Sequence, residues 1–428
     1  MLHNVHILTE LNLTMPFTLI FISLLTASIL MRLWLAGRHI RHVQQHRNQV
    51  PAAFSATIAL DAHQKAADYT TAKAKLSLSE GLLQALLLVA FTLGGGLQLI
   101  DLYWRDILAE PAILRGALVI CSAMLISSLI DLPFDYYKTF VIDEKFGFNK
   151  MTVSMFVMDL IKHSLLGLAL GGPILLLALW LMQGAGEYWW LYLWLVWSAF
   201  NLIMLAVYPT FIAPLFNKFS PLTDLSLKQR IESLLTKCGF KSQGLFVMDG
   251  SSRSSHGNAY FTGFGASKRV VFFDTLLARL NADEIEAVLA HELGHFKHHH
   301  VMKRIAMLFS MSFLGLALLG WLMQQPWFYS GLGVEMASTY MALMLFLLIS
   351  PVFLFLLRPF MASYSRKNEF EADAYAAKQA QAKDLISALV KLYRDNASTL
   401  TPDPLHSAFY DSHPPASIRI SKLSAYTG

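Results

Sequence analysis

Long apolar stretches alternate along this chain with shorter polar ones, and the apolar stretches set its plan. The first runs from about Leu13 to Ala36. Others lie near 82–100, 112–131, 157–182, 188–208, 303–325 and 339–360. Since about 20 apolar residues in a helix cross the hydrocarbon core of a bilayer, these predict about seven transmembrane helices. Gly171-Gly172-Pro173 interrupts the fourth run, and Pro209 and Pro214 end the fifth, so those boundaries are the loosest.

Between Lys218 and His300 the period changes. Leu225, Arg230, Ile231, Leu234 and Leu235 fall at the spacing of an amphipathic helix. Gly244 to Asp249 and Arg269 to Phe273 are β-branched and aromatic runs bounded by turn residues, which predicts strands. The link from Ser251 to Lys268 is rich in Ser and Gly and contains Asn258-Ala259-Tyr260-Phe261-Thr262. An exposed strand of this small sheet could hold an extended peptide by main-chain hydrogen bonds, or the strands could serve only as a packing platform. Asn281-x-x-Glu284 then reads as a capping box opening a helix of good helix formers from Ile285 to Ala290.

The chain thus divides into four parts. Residues 1–215 hold about five spans, 216–302 a cytosolic insert, 303–360 the last two spans, and 361–428 a cytosolic C-terminal segment. The basic residues fix which side is which. Segments 101–111, 183–187 and 326–338 contain one basic residue, Arg105, while segments 37–80, 132–150, 209–302 and 361–428 hold nearly all the rest. With seven spans and no Lys or Arg before the first, the N-terminus falls outside and every basic segment falls on the cytosolic side. A cleaved secretory signal would begin with basic residues, so the first span is retained.

Composition agrees with this plan. Of 428 residues, 55% are hydrophobic and 15% charged, against about 25% charged in soluble domains. The net charge of +5 sits beside apolar runs, which points to membrane topology and the lipid bilayer and away from nucleic acid. With two cysteines, Cys121 in an apolar run and Cys238 in a polar one, neither a disulfide framework nor a cysteine zinc site is available.

The chemistry lies in His291-Glu292-Leu293-Gly294-His295. Two histidines about one helical turn apart point the same way and can share one zinc ion, and the glutamate between them is placed to take a proton from the attacking water. Three completions are open. His299 would lie about 12 Å along the axis from His291 at about 1.5 Å per residue, too far to share the ion. The longer metzincin pattern fails, because residue 298 is His where Gly is required and residue 301 is Val. A carboxylate from Ser365-Arg366-Lys367-Asn368-Glu369-Phe370-Glu371-Ala372-Asp373 is the third. Glu369 and Asp373 share a helix face, so Glu369 can ligate while Asp373 supports a ligating histidine; Glu371 points the other way. The plainer reading is a solvated charged face. His298, His299 and His300 read as residues at the membrane interface, where the helix enters the next span. Asp411-Ser412-His413-Pro414-Pro415, followed by Arg419, offers cationic donors for an oxyanion, with His406 competing.

These segments together resemble the type I CAAX prenyl protease family, membrane zinc endopeptidases that trim prenylated proteins. The resemblance extends to the run from Tyr137 to Lys150, to Ser254-Ser255-His256-Gly257-Asn258-Ala259-Tyr260-Phe261 and to Phe273-Asp274-Thr275-Leu276-Leu277, and so covers most of the chain from about residue 130. It implies seven helices around a water-filled chamber, one zinc held by His291, His295 and Glu369, and Glu292 as general base. It implies Asp373 behind the ligands, His413 and Arg419 at the substrate or oxyanion, and Asn258 and Ala259 on the edge strand that receives the peptide. The short link between the last two spans and the lack of a C-terminal dilysine-type signal favour a prokaryotic member in the cell inner membrane, for which the alternative to cleaving the C-terminal tripeptide of prenylated proteins is quality control of other membrane or misfolded proteins. A eukaryotic member would sit in the endoplasmic reticulum and take prenylated ones.

The reading is therefore a mainly α polytopic membrane protein with a small α+β zinc metallopeptidase domain that hydrolyses peptide bonds. Two rivals differ in class. A site-two-type protease carries H-E-x-x-H inside a span, which Asp283-Glu284-Ile285-Glu286 at the head of this helix opposes. A histidine-dependent metal transporter or sensor would use Asp131, Asp159 and His163 along the spans.

Overall fold

A computed structural model describes residues 2–240, 244–262 and 269–426. Among them, seven helices are long and apolar enough to cross a membrane: Leu13–Gln45, Leu60–Phe91, Ala112–Asp143, Val153–Gly184, Gly186–Leu215, His300–Leu322 and Thr339–Gln379. Most run past the limits of the apolar stretches. Hydropathy marks only the part of a helix that lipid accepts, and polar residues of good helix propensity carry it onward.

The second span corrects the sequence reading. Expected near 82–100, its helix begins at Leu60 and stops at Phe91, and a separate helix, Gly96–Ile107, follows. The break falls in a glycine run. Gly95 holds a left-handed φ of 73°, and a Cβ on Gly94 or Gly96 would lie 2.8 or 2.7 Å from the Ala90 carbonyl oxygen. In the fourth span Gly171-Gly172-Pro173 does not break the helix. A π-helical stretch, Gly167–Gly171, hands over to Gly172–Gly184 and places Pro173 at a helix start, where its missing N–H is tolerated. Tyr208–Ile212 does the same around Pro209 in the fifth.

One apolar core gathers Phe21, Leu97, Val119, Leu179, Phe328 and Tyr340 from several spans. The packing is nonetheless uneven. Half of the apolar window of the seventh span is buried, but only 6% of that of the second. The second span packs more loosely, with Phe91 in this core and Ala85, Leu87 and Leu88 only partly buried against it. Cavities of about 1090, 500 and 410 Å³ lie between the helices.

The polar segment folds into a four-stranded sheet, β1 (Phe219–Pro221), β2 (Leu245–Met248), β3 (Ala259–Thr262) and β4 (Arg269–Phe273), in the order β1-β2-β4-β3. The central pair β2 and β4 is parallel, and β3 runs antiparallel to β4 at one edge with Ala259 opposite Phe272. Strand β1, three residues ending in proline, carries no periodic signal in the sequence. The part of the Ser/Gly-rich link from Gly263 to Lys268 lies outside the described residues. The amphipathic helix forms as expected over Leu225–Lys237, with Asp224 accepting the Leu227 N–H at 3.0 Å. It buries Ile231, Leu234 and Leu235 in a second core with Phe272, with Leu289 and Leu293 of the H-E-x-x-H helix, and with Leu385 and Leu389 near the C-terminus. Residues of 216–302 and 361–428, distant in sequence, therefore share one core.

Candidate metal centre

The H-E-x-x-H helix is Ala282–Lys297. Its capping box is formed both ways, with the Glu284 N–H on Asn281 at 2.9 Å and the Asn281 N–H on the Glu284 carboxylate at 2.8 Å. Glu284 is buried and also takes Ser387 Oγ at 2.6 Å and Lys391 Nζ at 2.7 Å. Burial works against its charge, but these donors prevail and hold the carboxyl below its ordinary range. At the same end Arg230 pairs with Asp283 and Glu286, so the acidic head of the helix is engaged by polar partners.

Against this helix packs Arg358–Gln379, which carries the acidic pattern. The contact is at backbone distance. A Cβ on Gly294 would stand 2.8 Å from the Ala372 Cα, so the glycine inside the motif is what lets the two helices meet. That approach brings three donor groups together. The Nε2 atoms of His291 and His295 are 3.3 Å apart, and each faces one oxygen of Glu369, at 3.4 and 3.3 Å. Among the described residues these three form the group able to hold a metal ion, their ligand atoms all within 4.8 Å of one another.

The arrangement fits a small tetrahedral cation. Bonds of about 2.0–2.1 Å set donor atoms about 3.4 Å apart, close to the spacings found here. Glu369 is 5% exposed, and the contacts of its Oε2 are long, with His291 Nε2 at 3.4 Å and Arg419 Nη1 at 3.7 Å, so a buried carboxylate oxygen is left short of a close partner that a cation would supply. The cluster also draws positive charge on its own. Burial disfavours a charged His291, yet hydrogen bonding to Asp373 and Glu369 outweighs burial and raises the imidazole to about 9, with Arg419 opposing. A cation between the Nε2 atoms takes the place of that proton.

Supporting groups fix both rings. Asp373 Oδ1 lies 2.9 Å from His291 Nδ1, and an ionised carboxylate can only accept, so Nδ1 carries the proton and Nε2 presents its lone pair. Arg419, 5% exposed, holds Asp373 in turn by Nε at 2.8 Å and Nη2 at 2.5 Å, with Nη1 3.7 Å from Glu369. Its guanidinium is thus committed to the carboxylates.

The second ring has a support that sequence reasoning missed. The helix ends at Lys297, His299 turns with a φ of 58°, and the next helix starts at His300. His300, expected at the membrane interface, is 5% exposed and places Nδ1 2.9 Å from His295 Nδ1. Its Nε2 lies 3.0 Å from Glu371, which points away from Glu369 as predicted and meets this histidine instead. Glu371 accepts, so His300 carries its proton on Nε2; its bare Nδ1 then accepts from His295 Nδ1–H, which leaves His295 Nε2 free. Three consecutive histidines give no sign of which one turns back. The left-handed residue decides it.

The other expected residues take distinct places. Glu292 is half-buried on the motif helix beside His291. His413 is 62% exposed, with Nε2 3.5 Å from Glu369 and Nδ1 3.0 Å from Ser412 Oγ. Asn258 immediately precedes β3 and Ala259 is its first residue; Phe261 of this strand stacks edge-on against Phe296 of the motif helix at 5.3 Å. His406 lies elsewhere, stacked on His39 at 4.1 Å. The transporter candidates along the spans are engaged. Asp159 takes Arg253 at 3.1 Å, His163 stacks on Phe216 at 4.3 Å, and Asp131 bonds Gln84.

Seven apolar helices with an H-E-x-x-H helix set against a later carboxylate helix define a membrane-embedded metallopeptidase. Comparison with known proteins narrows the class. Residues 39–218 match the profile described as CAAX prenyl protease N-terminal, five membrane helices, and residues 221–427 match Peptidase family M48. The chain is similar to the CAAX prenyl protease 1 homolog of Arabidopsis thaliana, 40% identical over 74% of this chain and 75% of that one. It is similar to the CAAX prenyl protease 1 homolog of Caenorhabditis elegans as well, 32% identical over 95% and 98%. The crystal structure of S. mikatae Ste24p superposes with a TM-score of 0.88 at 33% identity, covering 95% of this chain and 99% of that one. The chain belongs to peptidase family M48 and is a multi-pass membrane metalloprotease.

Proposed function

We propose that this protein is a zinc endopeptidase that releases the C-terminal tripeptide from prenylated proteins ending in a C-a-a-X sequence. The observation that carries the reading is the convergence of two imidazole Nε2 atoms and the Glu369 carboxylate on one point beside Glu292. The relatives, named as CAAX prenyl proteases, supply the substrate class.

His291, His295 and Glu369 hold the ion; His donors with one carboxylate are a usual set for catalytic zinc. When bound, zinc polarises the scissile carbonyl and acidifies water at neutral pH. Asp373 and the His300–Glu371 pair keep both imidazoles in the ligating tautomer. Glu292 takes a proton from the attacking water and delivers it to the leaving amide nitrogen, so the same carboxylate is base and then acid. His413, exposed beside the cluster, donates to the carbonyl oxygen as charge builds there, while Arg419 holds Asp373 and Glu369 in place. The free edge of β3, starting at Asn258 and Ala259, receives the substrate backbone. The segments 216–302 and 361–428 act as one peptidase unit, anchored by the spans of 1–215 and 303–360.

The test is metal content and cleavage of a farnesylated peptide by the purified protein beside Glu292→Gln. The variant should keep stoichiometric zinc and lose roughly 10²–10⁴-fold in kcat. Full activity in that variant would sink the mechanism, and zinc with no cleavage in the wild type would sink the substrate.

A further inference from the structure

The helix Arg358–Gln379 carries more than Glu369 on its metal-facing side. Ser365, Ala362 and Arg358 precede Glu369 by four, seven and eleven residues, so all lie within a narrow sector of one face. Arg358 is about 16 Å along the axis from Glu369 at about 1.5 Å per residue. A cavity of about 500 Å³ follows this face, walled by Arg358, Met361, Ala362, Ser365, Phe409 and Ser412. It begins next to the metal cluster, since Ser412 bonds His413 and His413 faces Glu369.

At its far end lies a pole of positive charge. A second cavity, of about 410 Å³, shares Arg358 and Tyr410 with the first and adds Arg32, His39 and His406. Arg32 of the first span and Arg358 both line it, so two guanidinium groups share one cavity. Among the described residues neither enters an ion pair, whereas Arg38, Arg253 and Arg419 each hold an aspartate. Arg32 sits over the Phe355 ring at 5.4 Å and Arg358 over the Tyr410 ring at 5.7 Å. Two buried nitrogens in this cavity, the donor Arg32 Nε and the ring atom His406 Nδ1, have no hydrogen-bond partner among the described residues. Like charges held together among apolar helices with donors to spare are costly, and what relieves the cost is an anion; a planar carboxylate matches the guanidinium fork.

We propose that Arg32 and Arg358 bind the C-terminal carboxylate of the substrate, and that the apolar lane between them and the metal cluster holds the three residues to be released. This rests on the function proposed above. The lengths agree: three extended residues reach about 10–11 Å, and the arginine side chains cover the remainder. The pair would then act as a ruler, setting how far from the chain end the bond is cut.

The test compares a farnesylated peptide ending in cysteine and three aliphatic residues as free acid and as C-terminal amide. Binding is measured to full-length Glu292→Gln protein, then to the same protein carrying Arg32→Gln or Arg358→Gln. The acid should bind roughly 10- to 100-fold more tightly than the amide, and either arginine variant should erase most of that difference while leaving metal content unchanged. Arg358→Lys should retain part of it. In the active protein, Arg358→Gln should raise KM for the acid and leave KM for the amide and kcat near wild type. Equal binding of acid and amide overturns the proposal, as does a preference that survives in both arginine variants. Equal binding together with loss of affinity for vesicles containing anionic phospholipid assigns the arginines to lipid and also overturns it. Failure of the active protein to cleave either peptide overturns the proposed function, while the binding comparison still decides this site.

Discussion

At the residue scale, the centre works by controlling where protons sit. His291 and His295 each need Nδ1 protonated and Nε2 bare, and two separate acceptor chains impose this, Asp373 on one ring and Glu371 through His300 on the other. Replacing His300 by Phe keeps a ring in the pocket but removes the acceptor for His295 Nδ1–H. His300→Phe should weaken zinc binding roughly 10- to 100-fold, read by competition with a chelator, with the fold retained. Unchanged affinity would show that the second chain does not orient His295. The Asp373 support was legible in sequence, because its spacing from Glu369 repeats a helical turn. The His300 support was not, since it depends on a left-handed residue between two helices.

At the scale of elements, the centre exists because two helices touch at Gly294. In an exposed helix, alanine in place of glycine stabilises by about 1 kcal/mol. Here the added methyl would press on the Ala372 backbone at 2.8 Å, and overpacking against backbone costs about 1–3 kcal/mol, so the clash wins. Gly294→Ala should therefore lower both the melting temperature and zinc occupancy; a more stable variant with full zinc would contradict this packing. The start of the same helix supplies a pH dependence. Glu284 has a folded pKa below its ordinary value of 4.5, so its contribution to stability is present above that value and is lost as pH falls through the folded one. Glu284→Gln should unfold at lower temperature than wild type at pH 7, with the gap closing in acid below about pH 4. A gap independent of pH would mean that the charge is not what stabilises.

At the scale of the whole molecule, the spans set the side on which the peptidase unit works. We propose, from seven candidate crossings and the clustering of basic residues, a topology with the N-terminus outside and the metal cluster on the cytosolic side. A glycosylation acceptor added before Leu13 should be modified in a microsomal system, and one placed after Gly428 should not; the reverse pattern would invert the topology. Sequence alone determined the number of spans, the H-E-x-x-H helix with its cap, two of the four strands and the spacing of the acidic helix, because hydrophobic period, capping chemistry and i, i+4 geometry are local properties. The tertiary structure decided what depends on distant residues meeting. It set where the second span ends, at a glycine turn, and which of three consecutive histidines turns inward. It committed Arg419 to Asp373 and set Arg32 of the first span and Arg358 of the Arg358–Gln379 helix around one cavity. Long-range packing fixes these, and no period in the chain encodes it.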